Sequence, residues 1–346
     1  MVQSMSTREP SRFRRKRHRA TATAAANGVA PGADVAHIAT RAAYLRRLDL
    51  TIRKRLDGLL AGEFLGILPG PGTERSGGRL YGPGDDARRI DWSLTARSLA
   101  PHVRTTDADR ELETWLLVDR SASLDFGTTV REKRELALCA AASFGSLAQR
   151  GTNRIGLLVS GGATLVRLDP KAGHAAFLGL LTKLDGLPRT TAAPGPATTL
   201  TAALDQLHRI QKRRGQVIVV SDFLETHDWA RALRRLSLHH QVVAVQVIDP
   251  REFALPAMGI LGLVDPESGR TMHVQTNSAG LRARYAAAAN DRHVAIADRL
   301  RHAGVAHLVL STQDDWLREI VRFVSVRRAS GAGNAPFGHH RRGAAL

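Results

Sequence analysis

Trp115-Leu116-Leu117-Val118-Asp119-Arg120-Ser121-Ala122-Ser123-Leu124-Asp125-Phe126-Gly127 carries an apolar run straight into a string of oxygen-bearing side chains. The run from Trp115 to Val118 is continuous rather than alternating, which predicts a strand buried on both faces of a parallel sheet. Asp119, Ser121 and Ser123 follow at spacing two, so a loop over the carboxyl end of that strand can aim one carboxylate and two hydroxyls at one point. All are hard oxygen donors, with no thiolate or imidazole beside them. Such a set suits Mg2+ or Mn2+ and suits zinc poorly. Open α/β sheets also bind their ligands at this edge. Taken alone, D-x-S-x-S is equally an ordinary Asx or Ser turn, so its meaning depends on what distant segments bring to the same edge.

Downstream the periodicity switches repeatedly between two and 3.6. Helices are predicted over 131–149, 174–184, 200–212, 229–236, 281–302 and 315–324, and strands over 154–159, 164–168, 216–220, 241–248 and 306–310. Strands alternating with helices of this length imply an α/β fold with a doubly wound, mostly parallel sheet. Residues 260–275, with turn signals at Asp265-Pro266 and Ser268-Gly269, read as an inserted hairpin. Upstream, Tyr44, Leu45, Leu48, Ile52, Leu56, Leu59 and Leu60 recur at helical spacing within residues 41–61, opposite a basic face. The glycines of residues 62–84 lack the GK[ST] ending of a phosphate loop and predict turns.

The formal charge of +18 is unevenly spread: +6 falls in residues 1–20 and +4 in residues 327–346, leaving +8 for residues 21–326. The run Arg12 to Arg19 predicts a disordered arm with nonspecific affinity for polyanions or acidic lipid head groups. An aromatic content of 5% argues against a stacking surface for single-stranded nucleic acid. Cys139 is the sole cysteine, so no intrachain disulfide forms and a reducing compartment is permitted. Asn27, Gly28, Pro31, Gly32 and Asp34 interrupt the segment after the arginine cluster, against a secretory signal. No run approaches the ~18 apolar residues of a transmembrane helix. The chain reads as cytoplasmic, or at most peripheral to a membrane.

Two further loops give the opening motif its weight. Gly195-Pro196-Ala197-Thr198-Thr199 puts threonine hydroxyls just before a helix, and Gln216-Val217-Ile218-Val219-Val220-Ser221-Asp222 ends a second apolar strand in a carboxylate. Asp119 and Asp222 are thereby expected at one edge of one sheet. Here the sequence resembles a von Willebrand factor A domain with a metal-ion-dependent adhesion site. The resemblance implies that Asp119, Ser121 and Ser123 match the first loop, Thr198 the second, with Thr199 an alternative, and Asp222 the third. A glycine commonly precedes that threonine and another follows the last aspartate; Ala197 and Phe223 stand there instead, and Arg120 adds a positive charge within the first loop. The implied cofactor is Mg2+ or Mn2+.

A stretch about twenty residues ahead of this loop narrows the resemblance. Tyr81-Gly82-Pro83-Gly84-Asp85-Asp86-Ala87-Arg88-Arg89-Ile90-Asp91-Trp92, followed by Arg97, reads as a turn and a capped helical turn with alternating charges beside two aromatic rings. It also looks like the signature of the DUF58 family, carried by Tyr81, Pro83, Gly84, Asp85, Arg88, Asp91, Trp92 and Arg97. That resemblance implies a von Willebrand factor A-like domain in a protein that works beside a MoxR-type AAA+ ATPase, as a non-enzymatic adaptor in assembling other proteins. The expected layout is a disordered basic arm over 1–40, an N-terminal extension of one helix and a small β-rich part over 41–112, the A-like domain over 113–326, and a disordered tail over 327–346.

A site with two carboxylates and neutral hydroxyls leaves the ion electrophilic, able to take an acidic residue from a protein partner. Catalysis would need in addition a positioned base and nucleophile, and no pair stands out in the sequence. Two other readings carry different signatures. Polyanion or nucleic-acid binding through the tails would fall steeply with salt and survive loss of Asp119. Mg2+-dependent phosphoryl transfer would draw on Arg88, Arg89 or Arg120 to neutralise phosphate.

Overall fold

The strand that opens the motif is β3 (Glu113–Asp119), buried from Thr114 to Asp119. The computed structural model describes residues 31–59, 78–82, 90, 92–98, 100–104, 112–128, 131–149, 153–189, 197–264 and 270–329. β3 lies between β4 (Arg154–Ser160) and β6 (Gln216–Ser221), parallel to both. β5 (Val166–Lys171) pairs antiparallel with β4 and closes one edge; β7 (Gln241–Ile248) and β10 (Ala306–Ser311) extend the other side in parallel. The six-stranded order is β10-β7-β6-β3-β4-β5, which is the mostly parallel, doubly wound α/β sheet expected. The edge strand β5 alternates half-buried and exposed residues and carries Pro170 and Lys171, features that discourage further pairing.

Helices cover both faces because both faces of the central strands are apolar. Leu116 and Val118 of β3 join a core that includes α3 (Lys133–Ala148), α4 (His174–Gly186), α8 (Trp316–Ala329) and part of α1 (Pro31–Leu59). Trp115 and Leu117 point the other way, into a core built with α5 (Leu200–Ile210), α6 (Trp229–Ser237) and α7 (Ala279–His302). α3 is buried nearly all round, which its run of alanines allows. At Gly145 an added Cβ would fall 2.2 Å from the Phe177 ring, so α3 and α4 touch there through a missing side chain.

The predicted hairpin is β8 (Ile260–Val264) paired with β9 (Thr271–Gln275). The expected β part of the extension is β1 (Gly78–Leu80) paired antiparallel with β2 (His102–Arg104), with the short helix α2 (Trp92–Ser98) between them in sequence.

Two boundaries need correction. α1 begins at Pro31, so residues 31–40, assigned to a disordered arm, are helical. Pro31 and Gly32, taken as interruptions, stand in the first turn, where a proline gives up an N–H that has no intrahelical partner anyway. At the other end α8 continues to Ala329 and Arg327 is buried, so the tail assigned to 327–346 starts inside a packed helix. Residues 1–30 and 330–346 lie outside the described residues. Contacts divide the chain into units 1–40 and 41–346. Within the second, α1 buries Leu45, Leu48, Ile52 and Leu56 in the first core, while Arg41 pairs with Asp185 at 2.7 Å and Arg55 with Asp315 at 3.0 Å.

Acid sensitivity has an identifiable source at the start of β7. Burial, followed by the nearby His239 and His208, pushes the His240 imidazole down to about 4, against about 6.5 in an unfolded chain. The fold therefore favours neutral His240. Its contribution is fully present above about pH 6.5 and is lost as pH falls through the folded value. Urea titrations between pH 7 and 4 are expected to show a smaller acid loss for His240→Gln than for the wild type; parallel losses would place the effect elsewhere.

Candidate metal-binding site

The two predicted carboxylates meet at the carboxyl edge because their strands are neighbours there. Val118 of β3 stands opposite Val220 of β6, so Asp119 reaches the edge beside Ser221. From β3 the chain fills the sheet in one direction through β4 and β5, then returns and fills it in the other through β6, β7 and β10. The β3/β6 boundary is therefore the topological switch point, where open α/β sheets leave a crevice. Both sides of it end in an aspartate.

Asp119 is held from both oxygens. Its Oδ1 accepts from the Ser121 amide at 2.9 Å, and its Oδ2 accepts from the Ser221 hydroxyl at 2.7 Å. After Ser121 the chain makes a 3-10 turn over Ala122–Asp125, which turns Ser123 back so that its Oγ lies 3.0 Å from Ser121 Oγ. Burial first, and then the charge of Asp222, push the Asp119 carboxyl up to about 6.

Thr198 and Thr199 have distinct positions. Thr199 caps α5, its hydroxyl accepting from the Ala202 amide at 3.0 Å. Thr198 is stitched to the β4–β5 loop: its Oγ1 accepts from the Gly161 amide at 3.0 Å and donates to the Gly162 carbonyl at 2.9 Å. A hydroxyl in that arrangement keeps one lone pair. Gly161 adopts φ +96°, and a Cβ there would fall 2.2 Å from the Ser121 nitrogen. This close approach sets the Thr198 loop against the Asp119 loop. Gly161→Ala is expected to cost at least about 1–2 kcal/mol from the left-handed backbone alone and to weaken divalent-cation binding. Chemical denaturation and cation titration read both; an alanine variant unchanged in each would contradict the packing described.

Asp222 is 3% exposed and accepts at Oδ1 from the Leu224 amide at 3.2 Å. The next residue, Phe223, has φ +58°, the conformation that a glycine adopts without strain. The phenyl ring is buried, 5.1 Å from Trp229 between centroids, and that packing offsets a backbone cost of about 1–2 kcal/mol. The replacement of glycine by Phe223 thus leaves the expected turn in place.

Other positions depart from expectation. Arg120 does not charge the loop. Its guanidinium donates to the carbonyls of Leu184 at 3.0 Å and Leu187 at 3.1 Å, at the end of α4 where free carbonyls and the helix dipole favour a cation. In the extension, Trp92 is 72% exposed and Tyr81 and Arg97 are exposed as well. Pro83, Gly84, Asp85, Arg88 and Asp91 lie outside the described residues, and with them the expected charge network.

Sequence reasoning missed the groups that surround the carboxylates. Lys133, at the start of α3 and fully buried, pairs with Asp222 at 2.8 Å and with Glu252 at 2.5 Å. Burial depresses the ammonium pKa, but Asp222 and Glu252 overcome it and hold the group above the ordinary lysine value. A lysine in a first helical turn runs against the helix dipole, and that is the one sign of its role in the sequence. Asp249, beside Glu252, ties the same edge together by accepting from the Thr128 amide and hydroxyl and from the Thr312 hydroxyl. Ser160, opposite Asp119 on β4, is 0% exposed, and its hydroxyl has no hydrogen-bond partner among the described residues.

These residues fit a hard divalent ion. Two cis ligands of an octahedral ion with bonds of about 2.1 Å stand about 3.0 Å apart, and the Ser121 and Ser123 hydroxyls are separated by 3.0 Å. Asp119 carries a buried carboxyl with no cation paired to it among the described residues. No group of three or more His, Cys, Asp and Glu side chains gathers as a metal set among the described residues.

The family described as "Protein of unknown function DUF58" matches residues 77–295. An uncharacterized protein of Mycobacterium tuberculosis, Rv1480, is 46% identical over 287 residues, spanning 83% of this chain and 90% of that protein. A second, MAV169 of Mycobacterium avium, is 37% identical over 164 residues, spanning 47% of this chain and 95% of that one. The chain belongs to the DUF58 family. Partial likenesses among solved structures include BatB from Bacteroides thetaiotaomicron, at 14% identity and TM-score 0.40 over 63% of this chain and 99% of that chain. Another is a von Willebrand factor type A protein from Catenulispora acidiphila, at 12% identity and TM-score 0.34 over 67% of this chain and 44% of that chain. Among the described residues no helix is long and apolar enough to cross a membrane.

Proposed function

We propose that the protein is a non-enzymatic adaptor that binds a protein partner through a divalent cation, Mg2+ or Mn2+, held by Asp119, Ser121, Ser123, Thr198 and Asp222. The observation that carries this reading is the meeting of Asp119 and Asp222 at the switch point, with two hydroxyls 3.0 Å apart beside them. When bound, the ion supplies a Lewis-acidic position for an aspartate or glutamate of the partner. The hydroxyls at the edge bond to carboxylates, carbonyls and one another, which suits holding an ion better than activating a nucleophile. Family resemblance points to a MoxR-type AAA+ ATPase as the partner, and to assembly or maturation of other proteins as the setting.

The test is a pull-down from native lysate in Mg2+ or EDTA, comparing wild type with the Asp119→Ala, Ser121→Ala double variant. Retention of an AAA+ ATPase only by wild type in Mg2+ is the expected result. Equal retention in every lane, lost instead on removing residues 1–20 or on raising salt, would transfer the binding to the basic arm.

A further inference from the structure

We infer that Lys133 is a built-in counter-cation of the candidate site, which lowers the site's affinity for the divalent ion and keeps that ion exchangeable. The inference rests on the metal-dependent reading above and concerns a residue outside the proposed ligand set.

An ammonium is costly to place where Lys133 lies. The side chain is 0% exposed and starts a helix, so both desolvation and the helix dipole oppose its charge. Asp222, 3% exposed, and Glu252, 25% exposed, hold it from two directions. Both carboxylates have further partners: Glu252 accepts from the Asp249 amide at 3.1 Å in a capping box, and Asp222 accepts from the Leu224 amide. What Lys133 changes is the charge at the switch point. Asp119, Asp222 and Glu252 together carry three negative charges, and Lys133 reduces their sum to two, which one divalent ion neutralises.

A like charge this close to a bound cation repels it through a poorly screened interior. Removing the ammonium at constant volume, with Lys133→Met, therefore tightens binding even though it destabilises the empty protein. Glu252→Gln acts in the opposite sense: it removes a negative charge and leaves Lys133 committed to Asp222. A purely structural lysine predicts the reverse for the first variant, since a loosened site binds more weakly.

The experiment is titration of the full chain with Mn2+ alone, followed by calorimetry and by the paramagnetic signal of free Mn2+, for wild type, Lys133→Met, Glu252→Gln and the double variant. The expected result is a dissociation constant at least about tenfold lower for Lys133→Met, or about 1.4 kcal/mol. Glu252→Gln is expected to bind more weakly than wild type, and the double variant near it. The shift in melting temperature on adding Mn2+ should also be larger for Lys133→Met than for wild type. Unchanged or weaker binding by a folded Lys133→Met overturns the inference while wild-type binding upholds the site. Should Lys133→Met fail to fold, Glu252→Gln decides, and equal or tighter binding by that variant overturns the inference. Absence of Mn2+ binding in every variant overturns the metal-dependent reading itself, and the inference with it.

Discussion

A Lys133→Met chain in metal-free buffer is expected to be less stable than wild type by about 3–5 kcal/mol, the usual consequence of stripping one partner from a buried ion pair. Methionine preserves the volume, so the loss reports the charge. Lys133 is fully buried, and its ammonium faces Asp222 at 2.8 Å and Glu252 at 2.5 Å. Without it, Asp222 is left buried beside Asp119, whose carboxyl is already pushed up to about 6 by burial first and then by the charge of that same neighbour. The pH dependence has a definite sign. The Lys133 pKa is raised by folding, so its contribution is fully present below the ordinary lysine value of about 10.4 and is lost only at more alkaline pH. Urea titration of both proteins in EDTA measures the difference. A loss below about 1 kcal/mol would mean that the pair contributes far less than buried pairs generally do.

Ile52→Ala is expected to lower stability by about 2–5 kcal/mol, the range for deleting a buried aliphatic side chain whose cavity does not collapse. Ile52 is 0% exposed and lies with Leu45, Leu48 and Leu56 of α1 in the same core as Leu136 of α3 and Leu317 of α8. The effect would establish α1 as an integral layer of the domain. Because α1 covers an apolar face, a chain lacking residues 41–112 is likewise expected to be insoluble. A single cooperative transition with a reduced midpoint is the anticipated form. Loss of helix signal in a separate early transition would instead make α1 an independent attachment.

Much of this architecture is legible in the residues because each part obeys a local rule. The run Trp115 to Val118 has to be buried, and Gln216 to Val220 has the same character, so both lie in the middle of the sheet and both end in aspartate. Asp119, Ser121 and Ser123 are close in sequence and close in space. Other parts depend on groups far apart in the chain. Lys133 and Glu252 are separated by 119 residues, and nothing near either in the sequence announces the other. Thr198 and Thr199 are indistinguishable as neighbours; the helix claims Thr199 as its cap, and the Gly161 loop claims Thr198. The early start of α1 was hidden for a different reason. Pro31 and Gly32 look like breakers to a rule that does not ask whether they fall in the first turn.

Asp119 and Asp222, with their neighbouring hydroxyls, are proposed to hold one divalent cation. The most direct measurement is equilibrium titration of the purified full chain with Mg2+ and with Mn2+ by calorimetry, wild type beside Asp119→Ala. A single saturable site in wild type, abolished in Asp119→Ala while the variant keeps its cooperative unfolding, is the predicted result. Heats without saturation in wild type, or the same affinity in a folded Asp119→Ala, would rule out a cation held by these residues.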